Sequence, residues 1–281
     1  MLGNTPTIVD TGHVSQQHQL QALIRHHLPL GHLHQIINTH LHSDHCGGNA
    51  HLQHLHASPA TFIPCGQWGA VQEWSFLKET HESIGQKCPP FNAENQIRPN
   101  TEMNINGRVW QIHAAPGHDM DAMVLFAPKE KILISGDAFW ENGFGVVFPE
   151  LNGEVGFQHI EQTLLMIEDL QPRLVVPGHG PVFTHLQNSL DKAKSKLDYF
   201  RGSPGSHASY AATVLLKFKL MHEQEMQREA LQTWLSSAPT LLNIRERFFQ
   251  DLSAHAWLEH LLNKLSTKKS ISIHGSTIIN L

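Results

Sequence analysis

The sequence predicts a layered α/β fold followed by a smaller helical module, on three observations. Between Ile8 and Val182, β-type runs alternate with amphipathic helical stretches. Several of those β runs end on a histidine or aspartate beside glycine. From about Leu186 onward the pattern turns helical, which sets the expected boundary: a first domain over 1–185 and a helical module over 186–281.

The elements follow in order. "TIVD" is a short apolar strand that ends in an aspartate and a turn at Thr11-Gly12. "HQLQALIRHHL" places Leu20, Leu23, Ile24 and Leu28 at the spacing of an amphipathic helix. "HQIINTH" reads as a strand ending on His40, and "TFIPC" as the next strand. Gly66 to Pro99, with Pro89-Pro90, reads as a loop-rich excursion outside the core. "RVWQIHAA", "AMVLFAP", "KILISGD" and "RLVVPG" read as strands, and the helix "GFQHIEQTLLMIEDL" separates the last two. Three helices come next: "QNSLDKAKSKLDYFRG", "SYAATVLLKFKLMHEQEMQREALQTWLSS" and "SAHAWLEHLLNKLS". "SISIHGSTIINL" then closes the chain with two β runs around His274-Gly275, a hairpin signal. Helices followed by a terminal hairpin suggest a winged-helix-like module.

Composition narrows the class. With 281 residues, 40% hydrophobic and 16% charged, the chain suits a globular protein with a sizeable core. No apolar run approaches the roughly 18 residues that span a bilayer. The start lacks the basic and apolar regions of a signal peptide. Three cysteines, Cys46, Cys65 and Cys88, show no C-x-x-C spacing, which argues against a disulfide framework and suits a reducing compartment. The expected location is therefore the cytoplasm, with no membrane partner. Residues 1–181 carry eight basic and seventeen acidic side chains (−9), and residues 182–281 carry twelve and eight (+4). A split of that size suggests two units with different surfaces.

The chemistry concentrates in "NTHLHSDHCGG", residues 38–48. With 23 histidines in the chain, local crowding alone proves little. In an extended segment His40 and His42 point the same way, and a turn at Ser43 can swing Asp44 and His45 toward the same space. Gly47-Gly48 lets the chain bend sharply afterward. Imidazole and carboxylate are ordinary metal ligands, so one segment could serve two adjacent ions. "AAPGHD" supplies His118, "ISGDAF" supplies Asp137 and "VVPGHG" supplies His179, each beside glycine after a β run. Ionisable side chains at strand ends suit the rim of a site better than a core.

This ordered set, "THLHSDH", "PGH", "SGD" and "PGHG", preceded by "VDTG", resembles the metallo-β-lactamase-fold hydrolases, glyoxalase II-like members included. The likeness covers roughly residues 7 to 182. It implies an αββα sandwich with a dinuclear metal site at one edge of two sheets. Carried over by position, His40, His42 and His118 would hold one metal. Asp44, His45 and His179 would hold the second, and Asp137 would bridge them. The implied cofactor is a pair of divalent ions, zinc by default, with iron and manganese as alternatives. Two such ions against two carboxylates leave net positive charge, which lowers the pKa of a shared water. The resulting hydroxide would attack a carbonyl or phosphoryl centre, with Asp44 orienting it or passing a proton.

Three departures from the family pattern stand out. Few residues precede the "TIVD" strand, so the first strands are expected to be truncated or the sheet edge reduced. Asp119 and Asp121 follow His118 where a hydroxyl residue is commoner, and these acids are candidates to support ligating imidazoles. Asp137 stands where several true β-lactamases carry cysteine, which weakens an antibiotic-hydrolysis reading. The loop "AFWENGFGVVFPEL" is aromatic and glycine-rich, and Phe139, Trp140 and Phe144 are its pocket candidates, against a packed loop as the bland alternative. Cys46 reads as a buried filler more than as a catalytic thiol.

The leading functional expectation is a metal-dependent hydrolase of a small ester, thioester or lactone. A metal-dependent endoribonuclease of the same fold is the alternative, suggested by the mildly basic, wing-like C-terminal part. The expected partner is a small-molecule substrate, nucleic acid is less favoured, and a homo-oligomer is left open.

Overall fold

The computed structural model describes residues 5–28 and 31–281. In chain order the elements are β1 (Thr7–Val9), α1 (Gln17–His27), β2 (Gln35–Ile37), α2 (Ser43–Cys46), α3 (Asn49–Leu55) and β3 (Ala60–Pro64). Then come α4 (Trp68–Gln72), α5 (Trp74–Ser83), β4 (Asn95–Ile97), β5 (Thr101–Ile105), β6 (Arg108–Ala114), β7 (Met123–Ala127) and β8 (Ile132–Gly136). They are followed by α6 (Phe148–Leu151), α7 (Gly156–Leu170), β9 (Leu174–Pro177) and α8 (Leu186–Gly202). The remainder is α9 (Pro204–Glu223), β10 (Glu225–Gln227), α10 (Arg228–Leu235), α11 (Pro239–Phe248), α12 (Ala254–Thr267), β11 (Ile271–His274) and β12 (Thr277–Asn280).

Two compact units result. The first comprises residues 1–77 and 88–199; the second comprises 78–87 and 200–281. The expected boundary at residue 185 falls just before α8, whereas the units divide within that helix, between Tyr199 and Phe200.

The first unit holds two sheets. One has the order β1-β2-β3-β4 and is parallel throughout. The other has the order β5-β6-β7-β8-β9, antiparallel except for the parallel β8–β9 pair. Alternation along the strands builds the layer between them: Ile37, Ile97, Trp110, Ile112, Met123 and Leu125 form one buried cluster, with Val9, Phe62 and Ile134 against it. Helices cover the outer faces. Leu20 and Ile24 of α1 and Leu52 of α3 meet Ile8 and Ile36. α7 buries Phe157, Ile160, Leu164 and Ile167, the i, i+3, i+7 stripe of a packed helix. Strand β7 is buried along its whole length, as a central strand covered on both faces must be. This is the expected αββα layering.

The segment 66–99 is a correction. It forms α4, α5 and β4, and Val71, Leu77, Phe91 and Ala93 are buried in one cluster with Leu41, Cys46 and Ile63. Pro89-Pro90 breaks regular structure only locally, which hid the apolar positions on either side. Strand β2 stops at Ile37, three residues short of His40.

In the second unit the long helix expected over 209–237 is interrupted. Gln224 takes a positive φ of 65°, and β10 follows. β10 pairs with β12, which pairs with β11, giving a three-stranded antiparallel sheet. The hairpin turns at Gly275-Ser276 with Gly275 at φ 61°, as expected. Leu215, Leu216, Leu231, Leu241, Ile244, Leu258 and Leu261 are fully buried within this unit. Among the described residues, no helix is long and apolar enough to cross a membrane.

Candidate functional site

The first sheet delivers His40 and His42 on an extended stretch after β2, and the turn into α2 brings Asp44 and His45 back toward them. His118 follows β6, Asp137 follows β8 directly, and His179 lies two residues past β9. All seven side chains gather in two groups. His40, His42 and His118 form one; Asp44, His45, Asp137 and His179 form the other, with the ligand atoms of each within 4.8 Å of one another. Asp137 joins the groups, because its Oδ2 lies 3.5 Å from His118 Nε2 and 3.5 Å from His179 Nε2.

Each buried ring is tethered on one nitrogen. Asp10 accepts the Thr39 hydroxyl at 2.8 Å, so that hydroxyl is left to accept from His40 Nδ1 at 3.0 Å. Asp10 Oδ2 also accepts from His45 Nδ1 at 2.8 Å. His118 Nδ1 donates to the Val146 carbonyl at 2.5 Å. Fixing the proton on Nδ1 aims the Nε2 lone pair at the centre of the site. Nε2 of His40 is buried without a hydrogen-bond partner, whereas Nε2 of His45 faces Asp137 Oδ1 at 3.2 Å. An orphaned nitrogen in a buried histidine cluster demands an explanation, and a cation supplies one. His42 Nδ1 and His118 Nε2 lie 2.7 Å apart, and two ring nitrogens that close share one proton or one cation. The donor set fits divalent metal on these grounds.

Electrostatics separate the two groups. Burial, then His45, His42 and His118, hold His40 well below the ordinary imidazole pKa. Burial and His42 push His118 down to about 4. His40 and His118 are therefore neutral and electron-donating. In the second group burial opposes charge, yet Asp137, Asp44 and Asp10 hold His45 well above its usual range. Burial is likewise outweighed at His179, where hydrogen bonds to Asp137 and Asp44 raise the pKa to about 10. Against burial, His45 and His179 lower Asp44 to about 2, and His45 holds Asp137 well below the carboxylate range. This is an anionic nest in which protons on histidine stand where a cation would balance the charge.

Glycines leave the room. A Cβ on Gly145 would run into the His118 ring, and one on Gly178 would meet Asp137 Oδ1 and the His45 ring. The Gly178→Ala variant is expected to lower metal affinity with little change in secondary structure. An unchanged titration of the variant with zinc would contradict this.

The accompanying residues sort as follows. Asp119 Oδ2 lies 3.9 Å from His42 Nε2, accepts from Gln67 at 3.0 Å, and is raised in pKa by burial. Asp121 instead packs against Gly66, and its backbone N–H donates to Asp119 Oδ1 at 2.7 Å. Phe139 and Phe144 are corrections, since both are 0% exposed: Phe139 packs on Phe183, and the Phe144 ring lies under the Lys196 ammonium. Neither lines an open pocket. The aromatics at the site are Trp140, whose ring meets His179 at 5.2 Å, and Phe148, edge-on to His42 at 5.3 Å. Cys46 is buried with its Sγ 3.6 Å from that of Cys88 and 3.5 Å from the Leu41 carbonyl.

Sequence reasoning gave no role to Asp10, Thr39 or Phe148. Asp10 has the clearest signal. It ends the first strand and sits at φ 58°, a conformation that aspartate tolerates better than most residues. Because Asp10 anchors both groups, Asp10→Ala is expected to weaken metal binding about 10–100-fold, the usual effect of losing an outer partner. Competition against a chromogenic chelator measures this, and wild-type affinity would contradict it.

Comparison with known proteins agrees with the geometry. The family model described as the metallo-beta-lactamase superfamily matches residues 2–179. The chain is 27% identical over 193 residues to the beta-lactamase-like protein 2 homolog of Drosophila melanogaster, covering 68% of this chain and 56% of that protein. It is 24% identical over 225 residues to the probable metallo-hydrolase YqjP of Bacillus subtilis (strain 168), covering 69% and 70%. An atrochrysone carboxyl ACP thioesterase of Aspergillus fumigatus is 22% identical over 157 residues, covering 56% and 41%. The chain thus spans about half the length of several curated relatives. Among solved structures, a metallo-beta-lactamase family protein of Thermus thermophilus superposes with a TM-score of 0.57 at 17% identity, covering 100% of this chain and 92% of that one. A protein solved in a di-iron-bound form superposes at 0.54 and 21% identity, covering 68% and 90%.

Proposed function

The chain belongs to the metallo-beta-lactamase superfamily, and from that premise we propose that it is a dinuclear metal-dependent hydrolase of small thioesters, esters or lactones. The observation that carries this reading is the pair of ligand groups joined through Asp137 Oδ2. His40, His42 and His118 would hold one ion, and Asp44, His45 and His179 the other, with Asp137 shared. Zinc is the default for such a donor set, and iron and manganese are the alternatives; one structural neighbour is a di-iron form. Bound there, the ions would supply an activated water at neutral pH and positive charge for the developing oxyanion.

The chain's own groups do the rest. Asp44 Oδ2 lies 2.9 Å from His179 Nε2, so the carboxylate stands among the residues that would hold the second ion. It is placed to orient the attacking water, accept its proton, and return that proton to the departing thiolate or alkoxide. Burial of His40, His45 and Asp137 excludes bulk water from the inner side. The His179 side chain is 42% exposed, so substrate reaches the site past it and past Trp140. Thioesters lead the substrate list because one relative is named as an acyl carrier protein thioesterase.

The test is turnover by the metal-loaded protein on panels of thioesters, lactones and single-stranded RNA, with His42→Ala alongside. Thioester or lactone turnover in the wild type and loss of at least ~10²-fold in the variant supports the proposal. RNA cleavage without acyl hydrolysis would favour the nuclease reading instead. Equal turnover by both proteins would overturn the metal site.

A further inference from the structure

We propose that Trp140 is a positioning residue: its indole N–H fixes the rotation of the Asp137 carboxylate, so that the second ion's affinity depends on it. The proposal rests on the two-metal reading above. The two oxygens of Asp137 face different partners. Oδ2 lies between His118 and His179, one member of each ligand group. Oδ1 accepts from Trp140 Nε1 at 3.2 Å and lies 3.2 Å from His45 Nε2. An aspartate carboxylate turns in a broad torsional well, so geometry at Oδ2 is only as fixed as Oδ1 is. His45 Nε2 would be occupied in the loaded protein and could not serve as that anchor. An indole N–H is donor-only, neither a metal ligand nor titratable in the working range, so it remains on Oδ1 whatever the site holds.

Trp140 is held firmly enough to do this. Its backbone N–H donates to the Gly143 carbonyl at 2.7 Å, closing a tight turn in which Gly143 takes φ 128°. The Lys196 ammonium lies 5.6 Å above the Trp140 ring and donates to the Phe144 carbonyl at 2.9 Å. Gly145 N–H donates to the Asp137 carbonyl at 2.9 Å, tying the same loop back to the strand end. The Trp140 ring also meets the edge of His179, the most exposed of the seven side chains, at 5.2 Å. The bridging carboxylate and the outermost histidine thus rest on one side chain.

The experiment is calorimetric titration of metal-free wild type, Trp140→Phe and Lys196→Met with zinc, plus absorption spectra of the cobalt-loaded forms. Phenylalanine keeps an aromatic ring and removes only the donor and the second ring. Trp140→Phe is expected to bind the first equivalent as wild type does and the second about 10–100-fold more weakly. Its cobalt spectrum should change only with the second equivalent. Wild-type affinity and an unaltered spectrum for the second equivalent would overturn the proposal, since mere packing would not move either. Should Trp140→Phe not fold, Lys196→Met decides: weakened second-site binding supports the proposal and unchanged binding overturns it. A wild type that takes up fewer than two ions would instead overturn the two-metal reading itself, a failure visible in the wild-type curve alone.

Discussion

The Asp137→Asn variant is expected to lose more than ~10³-fold in kcat/KM toward its acyl substrate while keeping wild-type circular dichroism. An outer partner of a metal ligand usually costs 10–100-fold when removed. Asp137 is proposed as a ligand shared by two ions, so its loss should exceed that range. Asparagine fills the same volume and can still accept from Trp140, so the packing around the buried side chain is preserved. What disappears is one negative charge facing His118, His45 and His179. In the second group carboxylate charge is what attracts a cation, and the variant keeps only Asp44. The variant should therefore bind about one ion per chain instead of two. Steady-state kinetics with metal content measured on the same sample checks both. Activity within tenfold of wild type would remove Asp137 from the mechanism.

Removing the metal should cost stability as well as turnover. An ion that binds only the folded chain stabilises it by roughly 2.7 kcal/mol at a free concentration a hundred times its Kd. For a chain of this size that corresponds to a rise in Tm of about 5 °C. The physical source lies in the site: the unpartnered His40 Nε2 and the Asp137 carboxylate are buried there, with Asp44 partly buried beside them. Differential scanning calorimetry of protein stripped with a chelator and then reloaded with zinc measures the shift. Magnesium at the same concentration should do little, because a histidine-rich nest is a poor site for an oxygen-seeking ion. A Tm that is indifferent to zinc would contradict metal binding by these residues.

Much of this was legible from the sequence because candidate ligands placed at strand ends leave a local trace. His118, Asp137 and His179 each follow an apolar run and neighbour a glycine, and the chain brings His118 to His40 and His42 and the other two to Asp44 and His45. The layered order was legible for the same reason: period-2 and period-3.6 patterns are interspersed up to β9. Two of the short strands, β4 and β10, were not. β4 has three residues and no apolar alternation, and β10 interrupts an apolar stretch that continues helically on either side. The outer partners were hidden because they act through space. Thr39 reads as a strand residue, and only the fold shows its hydroxyl linking Asp10 to His40. The aromatic loop misled in a particular way. Its sequence does not reveal that Phe139 and Phe144 turn inward while Trp140 turns toward Asp137.

Anomalous diffraction from crystals of the zinc-loaded protein tests the central claim most directly. Two peaks per chain are predicted, about 3.5–4 Å apart as in other two-metal sites. One should sit among His40, His42 and His118, and the other among Asp44, His45 and His179, with Asp137 between them. A single peak, or peaks elsewhere on this histidine-rich chain, would contradict it.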